Sequence, residues 1–223
     1  MTGLPVGGKA EARAALVAAV RRASALGLNR GSTGNCSLRW QGGMLITPTG
    51  MGPEAGVDDL VWCAEDGRVA GRWKPSSEWP FHAAIYRARP DLRAVVHVHS
   101  VHATALACLR RELPPFHYMV AVAGGASVPC VPYHVYGGDA LAAAVAAAFA
   151  DRDACLLANH GLVAGAATLE RALAITVELE ALCEVYLKAC AAGTPALLDA
   201  AQMAEVIAKF GDYGQARSAQ RSI

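Results

Sequence analysis

Short apolar runs set between longer helical stretches constrain this chain most, and Ala94-Val95-Val96-His97-Val98 is the clearest of them. A β-branched run of that length after Pro90 reads as a strand. The runs Cys36 to Trp40, Met44 to Thr47, Leu60 to Cys63, Val128 to Val131, Ala154 to Ala158 and Leu162 to Ala164 are of the same kind. Between them, Leu16, Val17, Val20, Ala23 and Leu26 fall on three-and-four spacing and predict a helix over Lys9 to Leu26, stopped by Gly27. A second helix enters through Pro75-Ser76-Ser77, where a serine can accept from the free amides of the first turn, and keeps phase through Trp79, Ala83 and Tyr86. Pro80 is compatible only with that first turn. Further helices are predicted over Val101 to Leu109, Asp139 to Ala150, Thr168 to Ala192 and Ala200 to Phe210. Turns such as Pro48-Thr49-Gly50 and Asp66-Gly67 between the early strands favour antiparallel pairing, so the pattern predicts a mostly antiparallel or mixed sheet covered by helices. No repeat or linker divides it into more than one domain.

A chain of 223 residues, 54% apolar, is long enough to bury a core without crosslinks. Its 20 basic and 19 acidic side chains carry neither the basic footprint that neutralises nucleic-acid phosphates nor a polybasic membrane anchor. The longest apolar run, Ala140 to Ala150, is bracketed by Asp139 and Asp151 and is well below the ~20 residues of a membrane span. The order of charges from Met1 to Arg13 is not that of a secretion signal, so a cytoplasmic location is expected. Seven cysteines (36, 63, 108, 130, 155, 183 and 190), odd in number and without a CxxC, read as small buried hydrophobes rather than a disulfide or zinc-finger framework. A small molecule or a second copy of the chain is the partner this composition favours.

Chemistry concentrates in the histidines, at 82, 97, 99, 102, 117, 134 and 160. His97 and His99 stand two apart at the end of an apolar strand, and such side chains project to one face. His160, in Asn159-His160-Gly161, also follows an apolar strand, and both strands can end at one sheet edge. Three imidazoles so placed suit a divalent metal, which takes N or O ligands at ~2.0–2.1 Å and in a catalytic site keeps one position open. Satisfied core histidines fit the same spacing. Glu78, at the start of a helix, is either a partner of the helix dipole or an acid/base group beside the metal, with His82 four residues on. Three clusters, Ser32-Thr33-Gly34-Asn35, Thr47-Pro48-Thr49-Gly50 and Pro75-Ser76-Ser77, can each aim backbone amides and hydroxyls at an anion, or serve as ordinary turns. GxxxxGK[ST], GxGxxG and GxSxG are all absent.

Gly34-Asn35-Cys36-Ser37, Thr47-Pro48-Thr49-Gly50, Lys74-Pro75-Ser76-Ser77-Glu78, His97-Val98-His99 and Asn159-His160-Gly161 occur in the order and spacing of the class II aldolase/adducin family. The chain resembles that family from its first helix to about Gly214. His117-Tyr118-Met119, Ala123-Gly124-Gly125, Val128-Pro129-Cys130 and Lys209-Phe210-Gly211-Asp212-Tyr213-Gly214 are most similar to its members that cleave L-fuculose 1-phosphate. The resemblance implies an α/β fold, an α/β/α sandwich with a central, mainly antiparallel sheet. It implies one such domain over residues 1–223, a mobile C-terminal tail from about residue 211, and a cyclic homotetramer with active sites between subunits. It further implies Zn2+, or another divalent metal, held once per subunit by His97, His99 and His160. Glu78 would be a fourth ligand that swings away to act as acid/base. Substrate phosphate would lie against Gly34, Asn35, Thr49, Gly50, Ser76 and Ser77. Tyr118 of a neighbouring subunit would be a second proton-transfer group, and Tyr213 would close the site.

The activity so implied is the reversible cleavage of a ketose 1-phosphate such as L-fuculose 1-phosphate to dihydroxyacetone phosphate and an aldehyde such as L-lactaldehyde. Epimerisation, dehydration or decarboxylation of another phosphorylated sugar or sugar acid is the alternative within the same family. Adducin-like relatives lose the metal histidines, whereas this chain keeps all three. Asn159 stands where relatives often carry a histidine, and a neighbouring side chain on a turn can point away from the metal.

Overall fold

A computed structural model describes residues 9–213, with the side chains of residues 211–213 outside that description. In chain order it contains α1 (Lys9–Ala25), β1 (Asn35–Trp40), β2 (Gly43–Ile46), β3 (Val61–Ala64), β4 (Val69–Ala70), α2 (Trp79–Ala88), β5 (Ala94–Val98) and α3 (Val101–Cys108). A 3-10 helix (Tyr118–Ala123) follows, then β6 (Cys130–Val131), α4 (Asp139–Ala148), β7 (Ala154–Leu157), β8 (Gly161–Ala166), α5 (Leu169–Ala192) and α6 (Ala200–Tyr213). The strands form one sheet in the order β4-β3-β2-β1-β5-β8-β7-β6, and every pair is antiparallel except β6 with β7. The pattern read from the sequence reproduces this layout with three differences. The two-residue β4 is too short to show a period, the 3-10 helix lacks the 3.6-residue spacing, and Val128 makes only an isolated bridge to Leu113.

Alternation along the central strands sorts the apolar side chains to two faces. Ala94, Val96 and Val98 of β5, with Ala154 and Leu156 of β7 and Leu162 and Ala164 of β8, join the core under α1, α3 and α5. Val95, Cys155, Leu157 and Val163 face the other way, against Phe81, Ile85 and Tyr86 of α2 and Leu141, Val145 and Phe149 in and after α4. Helices on both faces of one sheet make the α/β/α sandwich. Of the cysteines, Cys36, Cys63, Cys155 and Cys183 are buried, whereas Cys108 and Cys190 are exposed, so the burial expected of all seven holds for the core members only. Exposed positions on helix ends impose no packing cost on a thiol. No described helix is long and apolar enough to cross a membrane.

Sheet register sets the ends of β1, β5 and β8 side by side, and three local devices fix the chain around the end of β5. Helix α1 stops in a Schellman turn, in which Leu28 N–H bonds Ala23 C=O (3.0 Å) and Gly27 N–H bonds Ser24 C=O (2.9 Å), with Gly27 at φ 73°. The chain then offers Asn29, whose Oδ1 accepts from the His99 amide at 2.9 Å. Two residues later α3 begins, and its free amides are satisfied from another helix. Glu180 of α5 accepts from His102 N (2.8 Å), Ala103 N (2.9 Å) and the His102 ring (2.9 Å). Burial raises its pKa, but those backbone bonds win and hold the carboxyl below its usual range. Replacement Glu180→Ala strips the cap from α3, and an unfolding free energy lower by about 1–3 kcal/mol in a urea titration is expected.

Candidate metal and anion site

The β-sheet register decides which histidines meet. Asn35 of β1 pairs with His97 of β5, and His97 pairs in turn with Val163 of β8. The start of β8 therefore lies beside the end of β5. The β7–β8 turn, Ala158-Asn159-His160, lays His160 against it, with Asn159 at φ 57°. Gly161 is the residue that makes the approach close enough: a Cβ there would come within 2.3 Å of the Val98 carbonyl oxygen. The three imidazoles stand nearly perpendicular to one another, with ring centroids 4.8–4.9 Å apart.

Glu78 closes the group from the N-terminus of α2. Its backbone occupies the cap position, yet its side chain makes no capping bond. The serine expected to cap the first turn instead turns back locally, Ser76 Oγ accepting from the Glu78 amide at 3.3 Å. Thus the carboxylate is free to reach the histidines, Oε2 lying 3.2 Å from His97 Nε2 and Oε1 3.2 Å from His160 Nε2. One ligand atom from each of Glu78, His97, His99 and His160 lies within 4.8 Å of the others.

The donor chemistry of these four residues fits a cation. His97 Nδ1 donates to the Leu162 carbonyl at 3.0 Å, which fixes the tautomer and leaves Nε2 as a bare lone pair. That lone pair faces His99 Nε2 at 2.9 Å and a carboxylate oxygen, an arrangement rich in acceptors. Glu78 Oε1 is buried and receives no hydrogen bond of adequate geometry. Tetrahedral ligands at ~2.0–2.1 Å from one ion lie about 3.4 Å from each other, close to the 2.9 Å between His97 and His99 and the 3.2 Å from Glu78 to each of His97 and His160. Burial alone would raise the Glu78 pKa, but once His97 and His160 take up protons their charge and close approach outweigh it and hold the carboxyl far below its usual range. Burial, then the neighbouring His97 and His160, push His99 down to about 3. His82, wholly buried and stacked on Phe81 at 4.6 Å, is pushed down to about 3 by burial and then His97.

A cavity of about 330 Å³ opens beside this group. Gly34, Asn35, Thr49, Gly50, Ser76 and Ser77, all expected around an anion, line it together with Glu78, His99 and His160. The three clusters converge because the loops are tied by backbone bonds. Ser76 N–H reaches Thr47 C=O (2.9 Å), Thr49 N–H reaches Lys74 C=O (3.1 Å) and Cys36 bonds Thr47. His97 stays behind the wall, fully buried. Asn159 contributes to the wall, but its Oδ1 accepts from Arg110 Nε at 2.9 Å. Tyr118 is not brought to the cavity of its own chain. It stands about half exposed on the 3-10 helix, stacked on His117 at 4.8 Å. Tyr213 ends α6 with its side chain outside the described residues, and of the tail expected from residue 211, residues 214–223 lie outside them altogether.

Tyr133, His134 and Tyr136 also line the cavity, although the sequence patterns single out neither tyrosine and assign His134 no role beyond its place among the seven histidines. Gly137, at φ 74°, rests on Ser77, where a Cβ would come within 2.6 Å of the carbonyl oxygen and so hold their loop off the wall. An aromatic- and histidine-rich loop directly after a strand and before Gly137-Gly138 was the available signal. Among the described residues no lysine or arginine lines the cavity.

A family model described as the class II aldolase and adducin N-terminal domain matches residues 14–187. The L-fuculose phosphate aldolase of Escherichia coli K12 is 46% identical over 191 residues, covering 85% of this chain and 89% of that protein. A 5-methylthioribulose-1-phosphate/5-deoxyribulose-1-phosphate aldolase of Rhodospirillum rubrum is 43% identical over 209 residues, covering 93% and 95%. Among solved structures, an L-fuculose 1-phosphate aldolase superposes with a TM-score of 0.88 at 37% identity, over 92% of this chain and all of that one.

His82 supplies a pH signature independent of any ligand. Its folded pKa lies below the value of 6.5 in an unfolded chain, so between about pH 6.5 and 3 the unfolded state binds more protons. Its contribution to stability is therefore complete above pH 6.5 and is lost as pH falls. In metal-free protein, His82→Gln is expected to flatten the pH dependence of unfolding free energy in that window, by up to about 1.4 kcal/mol per pH unit. An unchanged slope in urea titrations would show that the folded state protonates His82 readily.

Proposed function

The chain belongs to the class II aldolase and adducin family and is an aldolase, and on that premise we propose that it is a zinc enzyme of one catalytic domain that reversibly cleaves a ketose 1-phosphate such as L-fuculose 1-phosphate to dihydroxyacetone phosphate and an aldehyde such as L-lactaldehyde. The observation that carries this reading is the Glu78–His97–His99–His160 cluster, set in the wall of a cavity whose other lining residues offer amides and hydroxyls. An imidazole and carboxylate donor set suits zinc.

Breaking C3–C4 of a ketose 1-phosphate removes the proton of the C4 hydroxyl and leaves an electron pair on C3 of the phosphate-bearing half. A divalent metal held by His97, His99 and His160 supplies Lewis-acid stabilisation for that negative charge. Gly34, Asn35, Thr49, Gly50, Ser76 and Ser77 hold the phosphate through oriented amides and hydroxyls. Glu78 is ionised among the imidazoles, which makes it the base for the C3 proton in the condensation direction. When the carboxyl leaves the imidazoles it loses what holds its pKa down, and the protonated form then returns the proton to C3 during cleavage. Tyr118, exposed on its own chain, handles the C4 oxygen proton in the site of a neighbouring copy within a cytoplasmic homotetramer. Tyr213 closes over the substrate.

The aldehyde half is carried by less. The Rhodospirillum rubrum relative spans 93% of this chain against 85% for the Escherichia coli K12 fuculose-phosphate aldolase, and its name gives two other ketose 1-phosphates. Every such substrate cut at C3–C4 releases the same three-carbon product. A panel of L-fuculose 1-phosphate, 5-deoxyribulose 1-phosphate and 5-methylthioribulose 1-phosphate, assayed for dihydroxyacetone phosphate, is expected to find at least one substrate, with activity lost to a chelator and restored by zinc. Metal-loaded enzyme silent on all three would overturn the reading, and a product of unchanged carbon count by NMR would point to epimerisation instead. Glu78→Gln is expected to lower kcat about 10²–10⁴-fold. His97→Ala is expected to reduce bound zinc, counted by atomic absorption, to a small fraction of one per chain.

A further inference from the structure

Behind the cavity wall a chain of buried polar groups leads from Glu78 into the core under α2. Asn35 Nδ2 lies 2.9 Å from Glu78 Oε2, and Asn35 Oδ1 lies 2.6 Å from His82 Nε2. His82 Nδ1 lies 2.7 Å from Ser37 Oγ, which lies 2.8 Å from the Tyr86 hydroxyl. His82 and Ser37 are wholly inaccessible, and Tyr86 and Asn35 nearly so.

The charge at one end sets the direction of every proton in the chain. An ionised carboxylate only accepts, so Asn35 must present its NH2 to Glu78 and its carbonyl oxygen to His82. His82 must then carry its proton on Nε2, which leaves Nδ1 to accept from Ser37. With its own proton so committed, Ser37 Oγ accepts from Tyr86, and the Arg93 carbonyl, 3.4 Å from the Tyr86 oxygen, is the longer and weaker of that hydroxyl's two acceptors. The reverse order would turn an amide oxygen toward the carboxylate. Each donor therefore points toward Glu78, and aligned hydrogen bonds in a dry interior polarise one another.

We propose that His82, locked as the Nε2–H tautomer by Ser37 and Tyr86, is a positioning residue that fixes the Asn35 amide and through it aims the Glu78 carboxylate. Asn35 is also part of the cavity wall, so the same tautomer orients an amide available to the bound anion. This assignment rests on the reading of Glu78 as the acid/base group, but two of its consequences can be measured without turnover. His82 replaces a first-turn cap as the reason for a polar residue at that place in α2. No ring nitrogen of His82 is left to ligate a metal.

The test begins with 15N-histidine-labelled, metal-free protein at neutral pH. Long-range 1H–15N spectra are expected to show His82 with a protonated Nε2, an unprotonated Nδ1 and a ring proton slow to exchange. An Nδ1–H tautomer or an imidazolium would overturn the proposal. His82→Gln keeps an N–H where Nε2 stands, whereas His82→Phe removes both polar atoms. The second arm needs no turnover, only folding checked by circular dichroism and matched metal content. Inorganic phosphate affinity by calorimetry is expected to fall about tenfold for His82→Phe and to recover to within about threefold for His82→Gln. In the loaded enzyme kcat should follow the same order, falling about 10–100-fold for His82→Phe with rescue by His82→Gln. Equal losses in both variants, or no loss in either, would reduce His82 to packing alone. Should His82→Phe fail to fold, the tautomer in the unmodified protein still decides the matter. A correct tautomer with an enzyme inert on every ketose 1-phosphate would instead retire the aldolase substrate reading and leave the positioning intact.

Discussion

A carboxylate that is almost inaccessible to water, set against three imidazoles, is the constraint on which the rest of this molecule depends. An ion in so dry a place is costly unless charge and hydrogen bonds compensate it. Here the compensation comes from the end of β5, the β7–β8 turn and Asn35 of β1, and the position of Glu78 follows from the start of α2. Helix α2 itself is pinned by Phe81, whose ring stands edge-on to His97 at 5.5 Å, and by Tyr86 at the far end of the polar chain. Displacing any of these elements leaves a buried charge without its partners.

The electrostatic economy of the cavity has the same origin. Twenty basic and nineteen acidic side chains leave the protein near neutrality, and the cavity walls carry histidines, hydroxyls and backbone amides rather than lysine or arginine. Oriented amides hold an anion by geometry, and they do so without the further lowering of a nearby carboxyl's proton affinity that a lysine or arginine would impose, and without competing with the histidines for it. A loop of three strand-linked clusters can offer this only if its backbone is itself held, which is the part played by the bonds among Thr47, Thr49, Lys74 and Ser76.

Much of this was legible in the residues. Period-2 and 3.6-residue patterns located nearly every element, Ala94–Val98 to the residue, because those strands and helices bury whole faces. The elements that escaped, β4 and the 3-10 helix Tyr118–Ala123, are short and held by neighbours rather than by a pattern of their own. Among the site residues the motif members were legible by spacing, whereas Tyr133, His134 and Tyr136 were not. They reach the cavity only because Gly137 lets their loop settle on Ser77, a contact between residues sixty positions apart. Glu180 was equally hidden, since nothing local marks a residue of α5 as the cap of α3.

By itself the sequence determined which chemical groups are present and on what local elements they ride: two histidines at one strand end, a third after another strand, a glutamate at a helix start, and amide-rich turns. Local spacing suffices for that, because strand alternation and helix entry depend on near neighbours. Only the tertiary structure decided that β1, β5 and β8 end together, that Glu78 forgoes capping to face the histidines, and that its charge orders the protons of Asn35, His82, Ser37 and Tyr86. Those outcomes depend on antiparallel register and on the exclusion of water, both of which arise when distant segments pack, so no window of sequence contains them.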